Sequence, residues 1–117
     1  MRTKSLAVET NFHPIITQLL FHLSPIYTGW GSELVITSGS EQTAVHSKHS
    51  LHYATPAQAF DLRTWLTADT PEVSEQGATL KAACKAFCAK HSIPEDWVEV
   101  ILESDHIHIE YQPKRIG

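Results

Sequence analysis

Two cysteines in 117 residues are too few for a disulfide framework, so the chain must hold its shape by burying apolar surface. A basic excess is also missing. Nine Lys and Arg against thirteen Asp and Glu leave a formal net charge of −4, which argues against nucleic acid as a partner. No apolar run approaches the roughly 20 residues that span a bilayer. The longest stretch, Ile15 to Leu23, is interrupted by Thr17, Gln18 and His22, so no membrane span is expected. The start, Met1-Arg2-Thr3-Lys4-Ser5, runs on to Glu9 and Asn11 without an apolar core segment; no signal peptide is evident, and synthesis in the cytoplasm is expected. Repeats, low-complexity segments and linkers are absent as well. With 42% hydrophobic and 19% charged residues, the chain reads as one ordinary globular domain over residues 1–117.

One residue type is in excess. The chain has eight histidines, far above ordinary usage, and most of them are grouped. His46, His49 and His52 stand together, and His106 with His108 form a second group. Histidine is the commonest metal ligand and titrates nearest neutral pH, so the excess points to a metal or acid–base site.

The hydrophobic periods place these groups. Thr10-Asn11-Phe12-His13-Pro14 offers a polar cap before a first-turn proline, and Ile15, Ile16, Leu19, Leu20 and Leu23 recur at helical spacing until Ser24-Pro25 should stop the helix. Glu33 to Ser38 is a β-branched run that reads as a strand. Residues 39–53 show no apolar period and read as a loop bearing three histidines. From Ala59 to Trp65 the pattern alternates, so Phe60 and Leu62 should face the core and Asp61 and Arg63 the accessible side. A second helix is expected over 73–91 with Leu80, Cys84, Phe87 and Cys88 as its apolar stripe, its cysteines being buried free thiols. Trp97 to Leu102 and Ile107 to Tyr111 read as strands joined by a tight turn at 103–106, with His106, His108 and Glu110 sharing one face. The expected class is therefore α+β, a small antiparallel sheet with flanking helices. His13, His22 and His91 sit in or beside the helices with no function assigned; His46 reads as a plain surface histidine.

Three sources of metal ligands thus exist: the histidine loop, Asp61, and the His106/His108 pair. A catalytic zinc takes three protein ligands and leaves one position open. A carboxylate at Glu103 could approach that position as a proton acceptor. Spacing alone leaves it open whether these segments converge.

The ordered motifs Ser50-Leu51-His52, Ala59-Phe60-Asp61 and Glu103-Ser104-Asp105-His106 resemble the Ser-x-His, Ala-x-Asp and Glu-x-x-His signature of the M15 zinc peptidases. That family includes D-Ala-D-Ala carboxypeptidases and phage endolysins of the L-alanyl-D-glutamate endopeptidase type. The resemblance runs from about Ile36 to Tyr111. It implies a hedgehog/DD-peptidase-like fold, zinc as cofactor, and His52, Asp61 and His106 as metal ligands. Glu103 is implied as the catalytic base that activates the attacking water. The implied substrate is a peptidoglycan stem peptide cleaved at a bond involving a D-amino acid, with the cell wall as the site of action of a phage endolysin-like enzyme. The chain departs from the pattern in three ways. The loop between His52 and Asp61 is two residues longer and lacks the usual glycine. Ser47-Lys48-His49 also fits the first motif, making His49 a rival ligand. The arginine expected soon after Ser38-Gly39 is absent, leaving its role to His108 or Arg63. Arg63 reads either as a partner for a substrate carboxylate or as a surface ion pair, and His108, His49 and Ser50 as ligand-supporting or substrate-contacting residues. These departures keep a second function in view, a non-catalytic zinc-binding domain of the same fold that acts through partners.

Overall fold

The computed structural model describes residues 1–5, 8–39, 58–67 and 70–113. Among them, five strands and two α-helices run in the order β1 (Arg2–Thr3), α1 (Pro14–Gly29), β2 (Val35–Ser38), β3 (Ala59–Arg63), α2 (Val73–Lys90), β4 (Val98–Leu102) and β5 (His106–Tyr111). A 3-10 turn over Glu95–Trp97 leads into β4. The sheet order is β1-β2-β3-β5-β4. All neighbours are antiparallel except β1 and β2, which run parallel, so the expected purely antiparallel sheet is in fact mixed. The two-residue strand β1 carries no pattern of its own. It forms because Arg2 N and Lys4 N donate to the carbonyls of Leu34 and Ile36.

One face of the sheet is the core. Phe60 and Leu62 of β3 with Ile107 and Ile109 of β5 are fully buried against Ile16, Leu19, Leu23 and Tyr27 of α1 and Leu80, Cys84 and Phe87 of α2. Trp30, Trp65 and Trp97 pack on the margin of this cluster. Cys84 and Cys88 are buried free thiols in the α2 stripe, as the period predicted. Burial, with Cys88 alongside, pushes the Cys84 thiol up to about 12.

The start of α1 falls within the expected segment: the side chain of His13 is the polar cap, accepting from Ile15 N at 3.2 Å, with Pro14 in the first turn. At the other end, Pro25 does not stop α1, which continues to Gly29. Pro25 lacks the N–H that would reach the Phe21 carbonyl. Phe21 is 65% exposed, so water can satisfy that group, while burial of Tyr27 two residues beyond Pro25 rewards continuation. The other helix-associated histidines also have structural work: His22 Nε2 donates to the Ala83 carbonyl at 3.1 Å, joining α1 to α2, and His91 stacks on Phe87 with centroids 4.3 Å apart.

Gln76 was not anticipated in the core, yet it is fully buried. Its Nε2 donates to the carbonyls of Trp65 and Pro71 at 2.7 and 2.8 Å, and its Oε1 accepts from Trp65 N at 3.1 Å. These three bonds pin the segment that leaves β3 to the first turn of α2. They satisfy backbone groups that no strand partner reaches.

Candidate metal centre

The opposite face of β3 and β5 carries the polar residues. Strand register sets Asp61 directly across from His108, and Arg63 across from His106. Cross-strand partners share a face, so the period-2 alternation of Ile107 and Ile109 into the core presents both histidines to Asp61. A bulge between Ile36 and Ser38 gives β2 one extra residue where it pairs with β3, and Ser38 then stands opposite Asp61. Asp61 is not on an open side as the alternation suggested. It is 9% exposed, enclosed by its histidine neighbours.

Its two carboxylate oxygens are in different situations. His108 Nδ1 donates to Oδ1 at 2.7 Å, whereas His106 Nε2 faces Oδ2 at 3.8 Å. The second separation is too long for a hydrogen bond. It is close to the roughly 3.3–3.5 Å between two donors that share a tetrahedral zinc at about 2.0–2.2 Å each. His106 Nδ1 donates to Asp105 Oδ1 at 2.7 Å, so in the neutral ring the lone pair lies on Nε2, directed toward Asp61. Asp105, read from the sequence as a turn former, thereby orients His106. His108 is engaged at both nitrogens, by Asp61 and by Glu110 Oε1 at 3.2 Å. Carboxylates at both nitrogens favour the doubly protonated ring. The Asp61 hydrogen bond, helped by the charges of Asp61 and Glu110, holds His108 above the ordinary imidazole range, and burial opposes it only in part. Gln112 Nε2 in turn donates to Glu110 Oε2, extending the network along β5.

Glu103 closes the β4–β5 hairpin, its N–H donating to the His106 carbonyl at 2.9 Å. The ladder ends at the pair Leu102–Ile107, and Glu103 and His106 flank the turn directly beyond it. The Glu103 side chain is exposed. Arg63, on the face of Asp61, lies over the Trp65 ring at 5.3 Å.

The donor set fits zinc at the two positions described. An anionic oxygen and a neutral imidazole nitrogen are ordinary zinc ligands, each held by a further hydrogen bond as such ligands usually are. Among the described residues, no three His, Cys, Asp or Glu side chains form a ligand set. The remaining expected ligand, His52, its rival His49, and Ser50 and His46 lie outside the described residues. Sequence reasoning missed the parts played by Asp105 and Glu110. Glu110 was legible as a member of the His106–His108 face, but its hydrogen bond to His108 required the structure. No known family model, curated protein or solved structure matches the chain.

Proposed function

We propose that the chain is a zinc-dependent peptidase of the hedgehog/DD-peptidase-like fold. Its substrate would be a peptide bond involving a D-amino acid in peptidoglycan stem peptides, and its place of action the cell wall, in the manner of a phage endolysin. The observation that carries this reading is the approach of Asp61 Oδ2 to His106 Nε2 at 3.8 Å, each residue fixed by its own 2.7 Å hydrogen bond. The motif resemblance supplies His52 as the third ligand.

Zinc, when bound, polarises a substrate carbonyl and acidifies a water. The chain's residues do the rest. Asp61 and His106 would hold the ion, and Asp105 keeps the His106 ring turned so that Nε2 is the donor. His108 occupies Oδ1 of Asp61 and directs Oδ2 to the ligand position. Glu103, joined to His106 by a backbone hydrogen bond at the hairpin turn, takes the proton of the attacking water and returns it to the leaving amine.

The exposed side chain of Glu103 favours one other reading, a zinc-binding domain of the same fold that acts through partners without hydrolysis. Zinc content and release of amino groups from purified peptidoglycan separate the two. The peptidase reading expects one zinc per chain and hydrolysis. Glu103→Gln should keep the zinc and lose about 10²–10⁴-fold in rate, the usual contribution of a general base. Asp61→Asn should lose the zinc. A fully zinc-loaded protein that releases nothing from any wall peptide would sink the enzyme and leave the binding domain.

A further inference from the structure

A cleft of about 280 Å³ opens beside His106, lined by Lys4, Thr37, Arg63, Asp105 and His106. Nothing in the sequence singled out Lys4. It arrives there because the parallel pairing of β1 carries it past Ile36, to whose carbonyl its N–H donates at 2.8 Å. Arg63 arrives by its register opposite His106.

We propose that Lys4 and Arg63 form a carboxylate-binding wall of this cleft, so that the bound peptide presents a free carboxylate beside His106. This rests on the peptidase reading of the same site and narrows its substrate class. Two cations converge on one cleft in a chain of net charge −4. Among the described residues neither is spent on an ion pair: Glu33 takes the N-terminal ammonium and Arg2, Glu95 takes Lys85, and Asp61 and Asp105 are engaged by histidines. Asp105, the anion in the lining, accepts from His106 Nδ1 at 2.7 Å, and its single charge cannot cancel both cations. The Trp65 ring beneath Arg63 steadies the guanidinium plane, which suits bidentate contact with a carboxylate, and Lys4 adds a point charge. Thr37 contributes a hydroxyl donor on the bulged part of β2.

The test compares binding of N-acetyl-D-alanyl-D-alanine with that of its C-terminal amide to the zinc-loaded protein. It is read from the Trp65 indole N–H resonance, whose donor bond to the Glu33 carbonyl makes it a fixed reporter. The acid should bind roughly tenfold more tightly than the amide, the worth of one charge-assisted contact. Lys4→Gln and Arg63→Gln should each reduce that preference, and Lys4→Arg should retain it. The resonance dispersion of each variant shows directly that it is folded. Equal binding of acid and amide by the wild type, or a preference that survives in both Gln variants, overturns the proposal. Hydrolysis of both peptides is followed in parallel. Acid-selective binding without hydrolysis supports the carboxylate wall and counts against the peptidase, while hydrolysis without acid selectivity does the reverse.

Discussion

Replacing His108 by leucine removes the cation that stands between two carboxylates, and the cost follows from their surroundings. The Asp61 and Glu110 side chains are each 13% exposed and His108 18%, so the group lies mostly out of water. Removing one partner of a buried pair costs about 3–5 kcal/mol. The residual exposure places His108→Leu at the lower end, about 3 kcal/mol. For a chain of this length that corresponds to a fall in Tm of about 12 °C. The pH dependence tests the mechanism. A histidine whose pKa is raised on folding contributes stability that is complete below the unfolded value of about 6.5 and is lost as pH rises through the folded value. The difference between wild type and variant should therefore be largest near pH 6 and shrink as pH rises through the raised folded value, where the wild type loses the same positive charge. Thermal unfolding followed by circular dichroism, in EDTA to remove metal linkage, measures it. A difference below 1 kcal/mol at pH 6, or one that stays constant with pH, would refute the argument that His108 acts as an imidazolium clamp.

Gln76→Ala strips hydrogen bonds from both backbone groups of Trp65 and from the Pro71 carbonyl, and chemical denaturation should show a loss of about 2–4 kcal/mol. Pro25→Ala restores the missing N–H inside α1 and should stabilise the protein by about 1–3 kcal/mol, set against a smaller entropic gain of the unfolded chain; a destabilised variant would mean that Pro25 packs better than it bonds. Neither Cys84 nor Cys88 should react with a disulfide reagent at pH 8 in the folded state, since burial raises both thiols and hides them, and both should react at once in denaturant.

Strong periodicity made the core legible. The alternation through His106–Tyr111 predicted which side chains of β5 enter the core, and the stripe of α2 did the same for Leu80, Cys84, Phe87 and Cys88. What escaped depended on partners distant in sequence. Arg2–Thr3 is a strand only because β2 presents carbonyls to it, and a purely local reading sees two polar residues. Gln76 looks like an ordinary exposed helix residue until the backbone of Trp65 and Pro71 arrives beside it. Pro25 obeys local chemistry but is overruled by the burial of Tyr27. At the site, facing residues were legible from alternation, and Asp61, His106 and His108 do share a face. The burial of Asp61, the division of its two oxygens between two histidines, and Lys4 in the cleft are products of register and topology. No period encodes them.

The two sides of the cleft are held with very different strength. Asp61 and His106 sit on β3 and β5, the middle of the sheet, joined over five consecutive residue pairs. Lys4 follows an edge strand attached through only two. Amides in the central strands should exchange with solvent only when the whole domain opens, whereas β1 should detach alone at a small fraction of that free energy. The metal-ligand residues and Arg63 would then be preset by the fold, and Lys4 alone would be ordered by the peptide it binds. Substrate should slow hydrogen exchange at Lys4 far more than at Asp61.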